Sequence, residues 1–270
     1  MIAPRAGGFR GAIERKSWDY RVTACIAHLE TVEPLAVCIE TLRCQTERPF
    51  ILVIDTGSSP QALCELATLR APDVEIHAVA GHSYRHASEP VALALDLAHA
   101  RCHSDFLFHT HSDVFLRRRE FIAELLAQCG PETPAIGYRM SPREWATDDW
   151  QGMIGHTAAL LHLPTIHRAG AHWSMPRAHV VHGMPWDSGH VGWPDTEVGF
   201  NRGLAAAGIK PVFVGSDTNF ERQTDANLDH VRSFPGAQLY DPAYFRKAQG
   251  WMIAAMNEAR ERIAAWRREA

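Results

Sequence analysis

The chain has 270 residues and a formal net charge of −4 at pH 7. It is therefore long enough to bury a substantial core, and its charge gives no reason to expect general affinity for nucleic acids. No apolar run approaches the roughly 18 residues needed to cross a bilayer, and the first 20 residues lack the apolar stretch of a signal peptide. The six cysteines form no CxxC pair, which is typical of buried, reduced thiols in the cytosol. We therefore expect a cytoplasmic globular protein with residues 1–20 as a loose arm.

Short apolar runs alternate with helical patterns through the first half of the chain. Strands are predicted over residues 21–28, 50–54, 74–79 and 104–109, and helices over residues 33–44, 61–70, 90–101 and 120–129. A strong turn signal, Asp-Thr-Gly-Ser-Ser-Pro, follows the second strand. This alternation predicts βαβ units and an α/β fold with a mostly parallel central sheet flanked by helices.

The second half of the chain has a less regular pattern, especially over residues 138–195. That stretch is rich in Trp, His, Pro and Gly. Its aromatic side chains could stack on sugar rings but would pack equally well in a core, so both roles stay open for His156, His172 and Trp173. A helix is predicted over residues 196–207 and a strand over residues 211–214.

A long C-terminal helix is predicted over residues 241–270. It carries an apolar stripe at helical spacing, made of Phe245, Ala248, Met252, Ala255, Ala259, Ile263 and Trp266. The stripe predicts docking of the helix on the parent domain. A homodimer seam and contact with a membrane surface are the alternatives.

Segments with polar groups stand where three of the predicted strands end: Ala27-His28, Asp55-Thr56, and the segment from His109 to Asp113. Ligands of parallel α/β sheets bind beyond the carboxyl ends of the strands, so we expect these segments to line one crevice. Within the third segment, His111 and Asp113 are two residues apart and can face one side. A carboxylate suits Mg²⁺ or Mn²⁺, and an imidazole is more acceptable to Mn²⁺.

The order of these motifs resembles the nucleotide-binding half of the GT-A glycosyltransferases, particularly the large family 2. The chain has a helix ending near Gln45-Thr46 and a strand ending in Asp-Thr-Gly-Ser at residues 55–58, where relatives have Asp-Asp-Gly-Ser. An Ala-rich helix over residues 91–100 then leads to His111-Ser112-Asp113, at the position of the family's Asp-x-Asp motif.

The resemblance covers residues 21–232 and implies a GT-A, nucleotide-diphospho-sugar transferase fold. It implies that residues 21–116 form the nucleotide-sugar-binding half of one domain. Residues 117–235 would form the acceptor and catalytic half of the same domain, with the helix over residues 241–270 packed at the end.

The resemblance also implies roles for individual residues. Asp113 would hold a divalent metal, Mn²⁺ or Mg²⁺, with His230 as a further ligand and His111 in the place of the first acid. Nucleotide-sugar contacts are implied or suggested for Ala27, His28, Asp55, Thr56, Arg85 and His111.

An acidic motif at the start of the helix over residues 196–207 resembles the family's catalytic motif. It implies that Asp195 is the base that deprotonates the acceptor, with Glu197 as the reserve. The alternative role for both residues is to stabilise the start of the helix, as an N-cap and a first-turn acid.

The implied function is a metal-dependent, inverting transfer of a single sugar. The donor would be a UDP, GDP or dTDP sugar, and the acceptor a saccharide, a lipid or a small molecule. A single transfer is favoured because the Gln-x-x-Arg-Trp motif of processive synthases is absent from the sequence. Two alternatives stay open. One is a metallohydrolase using His109, His111 and Asp113, whose spacing resembles the metallo-β-lactamase string. The other is a non-catalytic nucleotide-sugar-binding protein.

Overall fold

The computed structural model describes residues 19–79, 88–139, 152–174, 196–217, 222–231 and 242–269. The predicted N-terminal arm thus lies almost entirely outside the described residues. In chain order the elements are β1 (Val22–His28), α1 (Val32–Arg43), β2 (Phe50–Asp55), α2 (Pro60–Ala67), β3 (Val74–Ala78), α3 (Ser88–Arg101), β4 (Phe106–His111), β5 (Val114–Leu116), α4 (Phe121–Leu126), β6 (Ala135–Arg139), β7 (Ile154–His162), α5 (Leu163–Ala169), α6 (Thr196–Ala206), β8 (Val212–Ser216), β9 (Arg222–Thr224), β10 (Leu228–Val231) and α7 (Pro242–Glu269).

The central sheet has the strand order β3-β2-β1-β4-β7-β6-β8, and β7 alone runs against the other six strands. The predicted α/β architecture, a mostly parallel sheet flanked by helices with a long C-terminal helix, is confirmed. A second, antiparallel sheet has the order β5-β10-β9. It brings the chain after α6 back beside the end of β4.

Every residue of β1 and β2 is buried, which explains why both strands are nearly unbroken apolar runs in the sequence. Alternate residues face opposite layers because side chains alternate across a strand. Ala24 and Ile26 belong to the core that also contains α1 residues, whereas Cys25 and Ala27 belong to the core on the other side, with residues of α3 and α6. Both faces of the central sheet are therefore covered.

The C-terminal helix α7 docks on its own domain. The buried part of its stripe comprises Ala248, Met252, Ala255, Ala259 and Ile263. This face packs against α1, β5 and β10, so the docking prediction describes the stripe correctly. None of the described helices is long and apolar enough to span a membrane.

Two expectations about local structure were wrong. The fourth strand was expected to end at His109, but β4 continues to His111 because the parallel ladder with β1 extends to that residue. No strand was expected within residues 138–195, yet β7 lies in the middle of the sheet, between β4 and β6. Its Thr-Ala-Ala-Leu-Leu core has no alternating pattern, and it is a strand because its neighbours pair with it on both sides.

All six cysteines are free thiols, and Cys64 is exposed rather than buried.

Candidate active site

The three polar strand ends lie side by side, as expected from parallel pairing. Across adjacent strands His28 is in register with Asp55, and Ala27 is in register with His111. These residues mark the carboxyl ends of β1, β2 and β4, which are neighbours in the sheet. Ligands of such sheets bind at this edge, and the strand register places all three segments along it.

The turn after β2 is organised by Asp55. Its carboxylate is within 2.9 Å of His28 Nδ1 and accepts hydrogen bonds from the backbone of Gly57 and from both the backbone and hydroxyl of Ser58. Burial alone would raise the pKa of Asp55, but the hydrogen bonds from His28 and Ser58 lower it below its ordinary value. Thr56 is tied down as well, since its hydroxyl donates to the His28 carbonyl at 3.1 Å. Asp55 therefore holds the turn as a charged carboxylate.

The structure places His230 beside Asp113. In the antiparallel pairing of β10 with β5, His230 faces Val114, and the Val231 amide donates to the Asp113 carbonyl at 3.1 Å. His230 Nε2 is 3.7 Å from Asp113 Oδ1, and Asp113 is 0% exposed. This separation exceeds a hydrogen bond. A buried imidazole and a buried carboxylate that are 117 positions apart in the chain are thus brought together.

A second pair of side chains adjoins this one through His111. The His111 ring stacks on the ring of His156, with centroids 4.5 Å apart and planes inclined by 25°, and lies 6.3 Å from the His230 ring. His156 Nδ1 is in turn 2.6 Å from Glu197 Oε1. Three imidazoles therefore bridge the space between the carboxylate of Asp113 and that of Glu197.

Three close contacts position helix α6 and with it Glu197, one to strand β7 and two to residues that follow α5. The Asn201 side chain accepts from the Ile154 amide and donates to the Ile154 carbonyl, each at 2.9 Å. At Gly203 a Cβ atom would lie 2.7 Å from Ala171 Cα, so only glycine permits this approach. The Phe200 ring stacks on Trp173 with centroids 4.1 Å apart. From the sequence, His156 was considered only as a cleft or core residue, and Asn201 was not identified as a residue of the site.

His109 does not join this cluster of polar groups. It is 0% exposed, and its ring lies 5.2 Å from that of His99 and 5.1 Å from that of Trp173. Burial, followed by the neighbouring His99 and His156, lowers the pKa of His109 well below its ordinary value. The rival metallohydrolase interpretation needed His109 as a ligand, and in the structure this imidazole is enclosed in the core. Trp173 is also buried, so it packs rather than offering a face to a sugar ring.

Among the described residues, no three His, Cys, Asp or Glu side chains are grouped so as to hold a metal ion on their own. Asp113 and His230 nevertheless fit part of a cation site, because both are buried, their side chains are 3.7 Å apart, and His230 Nδ1 has no hydrogen-bond partner within the described part of the chain. Mg²⁺-type sites commonly use one or two protein carboxylates and complete their shell with water and substrate phosphate oxygens.

Two predicted site residues, Asp195 and Arg85, lie outside the described residues.

No known protein-family profile matches this sequence, and no curated protein sequence matches it either. Solved structures do match. The TarS fragment 1–349 from S. aureus has a TM-score of 0.50 at 9% identity, over 81% of this chain and 62% of that fragment. Below 25% identity such a likeness concerns the fold, and it confirms the predicted GT-A fold.

Two further structures match at lower scores. One is the mannosyltransferase PcManGT from Pyrobaculum calidifontis in complex with GDP-Man and Mn²⁺, with a TM-score of 0.48 at 15% identity, over 93% of this chain and 77% of that one. The other is glucosyl-3-phosphoglycerate synthase from Mycobacterium tuberculosis in complex with Mn²⁺, UDP-Glc and glycerol 3-phosphate. It has a TM-score of 0.47 at 14% identity, over 95% of this chain and 87% of that one.

Proposed function

We propose that this chain is a metal-dependent glycosyltransferase that moves one sugar from a nucleotide-diphosphate donor to an acceptor with inversion. The observation that carries the proposal is the meeting of Asp113, His111 and His230 at the carboxyl edge of the sheet. Only the folded chain brings these residues together, in a GT-A fold and at the edge where α/β sheets bind ligands. The donor is a UDP, GDP or dTDP sugar, and the acceptor is a saccharide, a lipid or a small molecule.

The nucleotide side of the site is assigned to the first half of the domain, residues 21–116. Ala27 and the turn at Asp55-Thr56 form the base pocket, with Asp55 shaping the turn through its hydrogen bonds. His28 supports that turn from β1. Arg85 is assigned to the diphosphate on its charge alone.

The metal side is assigned to Asp113 and His230, with His111 next to them. Mn²⁺ is the preferred ion because two of these three groups are imidazoles, and Mg²⁺ is the alternative. When bound, the cation offsets the negative charge that builds up on the departing nucleotide diphosphate. Asp113 and His230 would hold the cation. An acid at the start of α6, Asp195 or Glu197, takes the proton of the acceptor hydroxyl.

The test is thermal unfolding of the full chain with UDP, GDP and dTDP, each with and without Mn²⁺. A ligand at about 100 times its Kd stabilises a fold by about 2.7 kcal/mol, which for a chain of this size raises Tm by roughly 5 °C. We expect one nucleotide to give such a shift, and only when Mn²⁺ is present. No shift with any of the three would contradict the proposal.

The matched variants are Asp113→Asn and Asp105→Asn. Asp113 follows β4 at the proposed metal site, whereas Asp105 is exposed and precedes the same strand at its opposite end. Asp113→Asn should abolish the Mn²⁺-dependent part of the shift, and Asp105→Asn should keep it. Two tightly held equivalents of zinc would instead support a hydrolase, and nucleotide binding without any release of donor sugar would support a non-catalytic binder.

A further inference from the structure

The Glu197 carboxylate, at the start of α6, has one oxygen paired with His156 and one buried oxygen that lacks a partner in the regions that the structure describes. Oε1 lies 2.6 Å from His156 Nδ1, whereas Oε2 is buried and has no hydrogen-bond partner among the described residues. Glu197 is only 5% exposed, and buried polar atoms are normally hydrogen-bonded. A substrate hydroxyl is a group that would complete this carboxylate, and a carboxylate oxygen not taken up by another donor is what a general base requires.

His156 sets the direction in which Glu197 presents that unpartnered oxygen. His156 Nδ1 and Glu197 Oε1 are 2.6 Å apart, a distance at which an imidazole and a carboxylate form a close ion pair. The His156 ring is itself held on two sides, stacked at 4.5 Å on His111 and edge-on at 6.1 Å to Trp173. The carboxylate is thus fixed through Oε1 to an imidazole that also touches the proposed metal side.

We infer that Glu197, rather than Asp195, is the base of the transfer and that His156 is its positioning residue; this inference rests on the proposed function. The acceptor O–H bond breaks and its proton goes to Glu197 Oε2. The acceptor oxygen bonds to the anomeric carbon of the sugar. The bond from that carbon to the diphosphate oxygen breaks, and its electron pair leaves with the nucleotide diphosphate.

The experiment measures nucleoside diphosphate release from UDP-glucose, GDP-mannose and dTDP-glucose by the full chain with Mn²⁺, with water as the acceptor. The donor that wild type turns over fastest is then used for kcat and donor KM of each variant. The variants are Glu197→Gln, Asp195→Asn, His156→Ala and His156→Gln. The control is His162→Gln, because His162 lies on the same strand as His156 but at the opposite end, paired with Phe106.

We expect Glu197→Gln to lower kcat at least about 100-fold, the scale of general base catalysis, with donor KM changed less than about threefold. His156→Ala should lower kcat by about 10- to 100-fold. His156→Gln should recover most of that loss, because its amide can still donate to Oε1. The double variant Glu197→Gln/His156→Ala should be no slower than Glu197→Gln alone, since both changes disable one unit. The control should match wild type.

Other outcomes would overturn the inference. A 100-fold loss in Asp195→Asn together with near-normal kcat in Glu197→Gln would assign the base to Asp195. Equal losses in His156→Ala and His156→Gln, or a change confined to donor KM, would remove the positioning role. Thermal unfolding of each variant excludes loss of the fold as the cause. If wild type releases no nucleoside diphosphate from any of the three donors, the proposed function itself fails, and the inference fails with it.

Discussion

The stability of the chain should fall steeply below neutral pH because of His99. This residue of α3 is buried, and its Nε2 accepts a hydrogen bond from Trp173 Nε1 at 3.1 Å. An indole nitrogen can only donate, so His99 Nε2 must be unprotonated in the folded chain. Burial, assisted by His167 and His172, lowers the pKa of His99 from 6.5 to about 3. Protonation at acid pH would require a charge in the core and would break the bond to Trp173.

The direction and size of the effect follow from these two pKa values. The unfolded chain binds a proton at His99 as the pH falls below about 6.5, whereas the folded chain does so only near pH 3. Stability from the neutral imidazole is therefore complete above pH 6.5 and is lost as the pH falls. Between pH 7.5 and pH 5 the loss amounts to about 2 kcal/mol in the free energy of unfolding. The value depends little on the folded pKa, because that pKa lies far below this window.

Urea unfolding at pH 7.5 and pH 5, on wild type and His99→Gln, measures this contribution. The glutamine oxygen can still accept from Trp173 Nε1, and the amide does not titrate. Other groups titrate equally in both proteins, so their effects cancel in the difference. Wild type should lose about 2 kcal/mol more than the variant over this interval, with unchanged m values. An equal loss in the two proteins would refute the claim that buried, neutral His99 causes the acid sensitivity.

Two further predictions concern the placement of α6. Gly203→Ala should destabilise the chain by about 1–3 kcal/mol in urea unfolding, because the new methyl meets the Ala171 backbone at 2.7 Å. The control is Gly250→Ala, at a helix position where the added Cβ has nothing within 4 Å. This control should stabilise the chain by about 0.5–1 kcal/mol. Destabilisation by both would show that glycine replacement in a helix, not the close approach, is responsible. Asn201→Ala removes buried hydrogen bonds to Ile154 and should cost roughly 2–4 kcal/mol in the same assay, and a loss below 0.5 kcal/mol would contradict the anchoring role.

Much of the first half of the fold could be predicted from the sequence. Strands β1 and β2 are buried on both faces, so their apolar runs are continuous, and glycine, serine and proline after β2 mark the turn. Parallel pairing then places Ala27, His28, Asp55 and His111 at one edge without further information. The apolar stripe of α7 was equally informative, because one helix face is buried and helical spacing records it.

The sequence was less informative where tertiary pairing decides the local structure. Strand β7 has the composition of a helix as much as of a strand, and it is extended because β4 and β6 pair with it on both sides. The end of β4 was misplaced for a related reason, since a histidine at a strand end and one inside a strand look alike in sequence. His109 proved to be a core residue packed on His99 and Trp173.

The sequence by itself determined the alternation of elements and the edge at which the polar strand ends meet. Periodicity and burial leave those marks because they act on neighbouring residues. The candidacy of Asp113 and His230 came from the resemblance to the GT-A family. Only the tertiary structure decided that His230 lies 3.7 Å from Asp113 and that His156 lies 2.6 Å from Glu197. Each pair comes from distant parts of the chain, so its distance depends on strand order and on how closely α6 approaches the sheet, and no local pattern records either.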